Sequence, residues 1–89
     1  MGRDAFVAIA DPEQRRRAMA LVTELRHAGL SAELDLAGRS LNGQLKHADR
    51  IGARRLLILE ADGTAQLRDM ASREQRAVDP GKLLEELTA

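Results

Sequence analysis

Two apolar runs without polar alternation constrain this chain most: Phe6-Val7-Ala8-Ile9-Ala10 near its start and Leu56-Leu57-Ile58-Leu59 in its middle. A strand with one wet face alternates apolar and polar residues, whereas a continuous run belongs to a strand covered on both faces, as strands of parallel sheets are. The segments around these runs carry the periods such a sheet needs. Asp11-Pro12-Glu13-Gln14 reads as a helix start, with Asp11 as cap, Pro12 at the first helical position and Gln14 where a capping-box partner stands. Ala18, Leu21, Val22, Leu25 and Ala28 follow at helical spacing, and Gly29 is a natural stop. From Leu30 to Leu36, Ala32, Leu34 and Leu36 alternate with Ser31, Glu33 and Asp35, which predicts a half-buried strand.

The second half repeats the alternation. Ala37-Gly38-Arg39 is a loop, and Ser40 caps a second helix whose inner face carries Leu41, Leu45, Ala48 and Gly52, with Ile51 beside it. Asn42, Lys46, Asp49 and Arg50 fall on its outer face. Arg55 to Glu60 is the second buried strand. Asp62-Gly63 is a turn into an alternating strand over Thr64 to Asp69, and Arg73 to Val78 reads as a final polar strand. Asp79-Pro80 opens a last helix with Leu83, Leu84 and Leu87 turned inward. The order β-α-β-α-β-β-β-α demands right-handed crossovers and a parallel sheet core, with an antiparallel strand beyond the Asp62-Gly63 turn. The expectation is a single domain over 1–89, with a core small enough for its stability to lean on a neighbouring domain.

Composition then removes function classes. Phe6 is the one aromatic residue, so a platform of exposed rings for stacking bases is excluded. The chain has no cysteine, which excludes disulfides, zinc knuckles and thiol nucleophiles, and two histidines are too few for a histidine-rich metal site. No apolar stretch approaches a membrane span or a signal peptide, so a cytoplasmic chain without membrane or metal is expected. Gly38, Gly43 and Gly52 fit neither a GxGxxG fingerprint nor a P-loop, and no serine sits in a nucleophile elbow. Asp11, Asp35, Glu60 and Asp62 fall near strand ends, where open α/β sheets often hold ligands. Capping and turn formation are the more ordinary roles for acids there. His27 suits the end of its helix as a dipole partner, and His47 is expected to be solvated.

Charge is balanced overall, 14 basic against 14 acidic residues, but uneven locally. From Arg39 to Arg55, Arg39, Lys46, Arg50, Arg54 and Arg55 face the single acid Asp49, a net of +4. From Asp79 onward the balance is −2. A basic loop and helix opposed to an acidic terminal helix has the form of a phosphate-binding surface, although charge runs are more often solvated helix faces. Arg15-Arg16-Arg17 spreads over about 200° of helix, so at most two of the three share a face.

Several strings then carry a likeness. His27-Ala28-Gly29-Leu30, Glu33-Leu34-Asp35-Leu36 and the stretch from Ser40 to Arg54 (SLNGQLKHADRIGAR) resemble the C-terminal anticodon-binding domain of histidyl-tRNA synthetases. Asp69-Met70, Glu74-Gln75 and Val78 are similar to a later stretch of the same domain. Gln44-Leu45-Lys46 followed by Ala48-Asp49 distinguishes the histidyl type from its prolyl, threonyl and glycyl relatives. The resemblance implies a three-layer α/β/α domain with a mixed five-stranded sheet in the order 2-1-3-4-5, strand four antiparallel. It implies binding of the tRNA-His anticodon loop, no chemistry and no cofactor in this chain, and a class II catalytic domain elsewhere that takes ATP and histidine.

Nucleic-acid contacts are expected at Arg39, Ser40, Asn42, Gln44, Lys46 and Arg68. Arg39 and Ser40 stand where helix-terminal amides favour phosphate. Relatives carry a basic residue at the position of Lys46, and Arg68 aligns with an arginine that related synthetases direct at the anticodon. One departure stands out. Relatives have a Gly-Glu-x-Glu-Leu segment after the third strand, while this chain passes from Glu60 through Ala61-Asp62-Gly63 straight into Thr64, leaving Glu60 or Asp62 to replace their acidic base reader. The alternative function is a recruited synthetase-like module that binds protein through the first and last helices.

Overall fold

The computed structural model describes residues 2–35 and 37–88. Strand β1 (Ala5–Ile9) leads through a 3-10 turn at Pro12–Gln14 into α1 (Arg15–His27), then β2 (Ala32–Leu34), α2 (Leu41–Arg50), β3 (Arg55–Leu59), β4 (Ala65–Asp69) and β5 (Gln75–Val78). A second 3-10 turn at Pro80–Lys82 opens α3 (Leu83–Thr88). The five strands form one sheet in the order β2-β1-β3-β4-β5, with β1 parallel to β2 and β3, and β4 antiparallel to both its neighbours.

The continuous apolar runs become the two central strands, in register Val7 opposite Leu57. Their pleat sorts side chains to two faces. Ala5 and Val7 join Leu57, Leu59, Ala65 and Leu67 under α1 and α3, while Phe6 and Ala8 join Leu56 and Ile58 under Ala48, Leu41 and Leu45 of α2. Burying each of the larger side chains contributes roughly 1.5–3 kcal/mol, so neither face is dispensable. The caps at Asp11, Ser40 and Asp79 hold, while Gln14 makes no capping-box bond among the described residues. Asp11 Oδ1 accepts from Glu13 N, Ser40 Oγ from Gly43 N and Asp79 Oδ1 from Gly81 N. Both long helices end at glycines in the left-handed region, Gly29 (φ 89°) and Gly52 (φ 71°), with Leu30 N and Ala53 N donating back to Leu25 O and Ala48 O.

The structure departs from the sequence reading at several points. β2 stops at Leu34 because Asp35 turns the chain onto its own carboxylate, and Leu36 lies outside the described residues. β5 begins at Gln75 rather than Arg73, because Asp69 Oδ1 accepts from Ala71 N and Ser72 N and holds a turn in which Arg73 has a φ of 68°. Leu83 is 1% exposed and Leu87 packs on the core, but Leu84 faces out at 38%, since residues one apart on a helix point about 100° away from each other. Ala28 is exposed as the C-cap of α1. His47 is not solvated: its ring meets Phe6 edge-on at 5.7 Å, and its Nδ1 is buried without a hydrogen-bond partner among the described residues.

Candidate nucleic-acid interface

Strands β1, β2 and β3 run parallel, so their carboxyl ends meet at one edge of the sheet. The loops leaving β1 and β2 and the start of α2 enclose a crevice of about 350 Å³ there, with Ile9, Pro12 and Leu41 as its apolar part and Arg15, Arg39 and Ser40 as its polar part. Such a crevice outside the carboxyl ends is where open α/β sheets place ligands.

Gln44 builds this edge from within. Ile9 of β1 directs its N–H and C=O to the β2 side, but β2 ends opposite Val7. The Gln44 carboxamide fills the gap: Oε1 accepts from Ile9 N at 2.8 Å, and Nε2 donates to Ile9 O at 3.0 Å. A side-chain amide thereby stands in for a peptide group and extends the ladder by one step. Nε2 also donates to Arg39 O at 2.9 Å, which ties the preceding loop to the same spot. Gln44 is 3% exposed, so it acts within the crevice wall and not on its surface. The sequence pattern placed it among polar contacts because its type is polar, although it shares the inner face with Ala48.

Asp35 organises the loop. Its Oδ1 accepts from Ala37 N at 3.0 Å and from Arg39 Nη1 at 2.7 Å, and its Oδ2 accepts from Arg39 N at 2.9 Å. Burial alone would raise this carboxyl, but the two backbone N–H groups, the Arg39 guanidinium and the charge of His47 outweigh it and hold the group below the ordinary aspartate value. An Asp followed by turn residues is the sequence signal for such a loop.

The other expected contact residues are not all brought to this edge: Arg68 pairs with Leu56 near the start of β3, toward the opposite end of the sheet. Arg39 and Ser40 sit at the crevice beside the first turn of α2. Asn42 and Lys46, four residues apart, are both exposed on the outer face of that helix. Arg68 lies on β4, on the sheet face shared with α2, because Ala65 and Leu67 take the opposite face. Its Nε donates to Gln75 Oε1 of β5 at 2.9 Å, a partner that the sequence reading did not single out. Gln66 and Ala77, paired across β4 and β5, complete this half of the sheet. Arg73 Nη2 reaches Asp49 Oδ1 at 3.5 Å, linking α2 to the β4–β5 turn. In the shortened β3–β4 connection, Asp62 Oδ1 accepts from Thr64 Oγ1 and Thr64 N, and these bonds lower its pKa. Its carboxylate is thus engaged in the turn, whereas that of Glu60 makes no hydrogen bond within the described residues. Among the described residues no group of three or more His, Cys, Asp or Glu is placed to hold a metal ion, and no helix is long and apolar enough to cross a membrane.

Fold and site together define a three-layer α/β/α domain with a polar crevice at the carboxyl ends of β1 and β2 and a sheet face left open at β4 and β5. The family model described as "Anticodon binding domain" matches residues 4–89. The chain belongs to that anticodon-binding domain family. Its relatives include the histidine–tRNA ligase of Rubrobacter xylanophilus, 46% identical over 82 residues that make up 88% of this chain and 19% of the relative. The histidine–tRNA ligase of Streptomyces avermitilis is 42% identical over 88 residues, 94% of this chain and 21% of the relative. The chain therefore spans about a fifth of the length of the curated relatives it matches. It superposes on apo histidyl-tRNA synthetase of S. aureus with a TM-score of 0.89 at 26% identity, over 99% of this chain and 24% of that one. The RNA-binding domain of a threonyl-tRNA synthetase from Cryptosporidium parvum shares the fold, with a TM-score of 0.83 at 16% identity over 97% of this chain and 23% of that one.

Proposed function

We propose that this domain binds the anticodon stem-loop of tRNA-His, as the C-terminal domain of a cytoplasmic histidine–tRNA ligase whose class II catalytic domain supplies the ATP and histidine chemistry. The observation that carries the reading is the half of the sheet that α2 leaves uncovered, where Gln66, Arg68 and Gln75 stand on one face, with Asn42 and Lys46 exposed on α2 and Arg39 and Ser40 in the loop and cap before it. Cationic side chains there neutralise phosphates of the loop, and the amides and Arg68 offer hydrogen bonds to unstacked bases. With Phe6 buried in the core, base contacts rest on hydrogen bonds and guanidinium planes rather than on aromatic rings.

The test is a titration of tRNA-His against the domain at several salt concentrations. Affinity should fall steeply as salt rises, and Lys46→Ala should weaken binding to any tRNA while reducing the logarithmic salt slope by about one unit. Arg68→Ala should instead weaken the cognate anticodon more than a mismatched one, by roughly 1–3 kcal/mol where it meets a base edge. Affinity that is absent or indifferent to salt would return the chain to the protein-binding alternative.

A further inference from the structure

Among the described residues, Asp35 is the one charged side chain that is buried, at 7% exposure. A buried carboxylate at the edge of a surface meant for a polyanion works against binding through its charge. Turn formation does not require that charge, since asparagine makes the same turns. What the carboxylate does that an amide does less well is hold an arginine. Asp35 grips Arg39 at both ends, Oδ2 on its backbone N–H and Oδ1 on its guanidinium. The same Oδ1 accepts from Ala37 N, so the loop and the side chain are fixed by one group. Gln44 Nε2 holds Arg39 O from the other side. Arg39 nevertheless keeps 41% of its side chain exposed, and Nη1 is the nitrogen engaged by Asp35. Arg39 lines the crevice together with Ser40.

We propose that Asp35 is a positioning residue for RNA: it orders the Arg39 guanidinium in the free domain, so that the donors not facing Asp35 meet a phosphate of the bound loop. A flexible arginine loses rotamer freedom when it binds, and one already held by a buried partner loses less. The proposal rests on the anticodon-binding reading and adds to it the residue through which Arg39 acts.

The experiment is a double-mutant cycle in tRNA affinity with Asp35→Asn, Arg39→Ala and Lys46→Ala, alongside the order parameter of the Arg39 Nε–H in the free wild-type domain. Asp35→Asn should weaken binding about tenfold despite removing a negative charge. Asp35→Asn with Arg39→Ala should bind no worse than Arg39→Ala alone, while Asp35→Asn with Lys46→Ala should show the product of the two single effects. The Arg39 Nε–H should be markedly more ordered than that of Arg50, which is exposed and has no partner among the described residues. Unchanged or tighter binding by Asp35→Asn would mean that Asp35 only offsets the charge of Arg39, and would overturn the proposal. So would full multiplication of the Asp35 and Arg39 effects, or an Arg39 Nε–H as mobile as that of Arg50. The order parameter decides in the same sense if Asp35→Asn does not fold. A wild-type domain without tRNA affinity overturns the anticodon reading itself, whereas loss of coupling in a domain that binds overturns only the role of Asp35.

Discussion

Asp35 also makes a claim about stability that is separate from binding. Its carboxyl titrates lower in the folded domain than in the unfolded chain: burial opposes this, but the N–H groups of Ala37 and Arg39, the Arg39 guanidinium and His47 outweigh it. The folded state therefore prefers the ionised form. The stability this lends is fully present above the unfolded value, about 4, and is lost as pH falls through the lowered folded value. Denaturant unfolding of wild type and Asp35→Asn across pH should show a gap that is constant from neutral pH down to about 5 and closes as the solution becomes more acid. A gap unchanged at pH 3 would show that the carboxylate contributes shape alone.

At the scale of elements, α2 shows what a sequence discloses and what it withholds. Its cap at Ser40 and the inward placement of Leu41, Leu45 and Ala48 follow from local spacing and turn chemistry, whereas Gly52, counted by that spacing on the inner face of the helix, lies past its end in the left-handed region. The two buried strands and the capped helix starts after Asp11 and Asp79 follow in the same way, although the 3-10 form of those starts does not. The strand order came from the family likeness, because apolar spacing does not say which strands are neighbours. Gln44 was legible as a residue but not in its role, because the need it meets lies far along the chain. Only when β2 stops short of β1 does Ile9 lack a ladder partner. The Arg68–Gln75 contact was hidden for the same reason, since it depends on the register of β4 against β5. The consequence for Gln44 runs against simple hydrophobicity. Gln44→Leu puts an apolar side chain of similar size on an apolar helix face, yet it strips Ile9 N–H, Ile9 C=O and Arg39 C=O of their partner. Each buried group left unpaired costs about 1–3 kcal/mol, so with three such groups the variant should lose about 3 kcal/mol or more in denaturant unfolding. Equal or greater stability would show that water replaces the amide at no cost.

On the scale of the whole molecule, the proposed interface falls on one edge and one face of the sheet, and the rest of the domain supports them. α1 and α3 cover one side of the sheet, and α2 covers β1 and β3 on the other, leaving β4 and β5 open. Of the acidic groups near the strand ends, all but Glu60 are engaged in caps, loops and turns: Asp11 at the 3-10 opening, Asp35 on Arg39, Asp62 on Thr64. Activating an amino acid with ATP calls for groups that hold the triphosphate and its metal and place a carboxylate for in-line attack. The described residues bring together no three His, Cys, Asp or Glu for a metal, and their glycines form no phosphate loop. The chain covers about a fifth of the histidine–tRNA ligases that it resembles, which leaves ample length for such groups elsewhere in those proteins. The pure 89-residue chain should therefore show histidine-dependent ATP–pyrophosphate exchange at the level of a protein-free blank, at concentrations where its tRNA binding saturates. Exchange that rises in proportion to added chain, and is abolished by substituting a residue of the crevice such as Arg39, would place chemistry in the domain and end its description as a binding module.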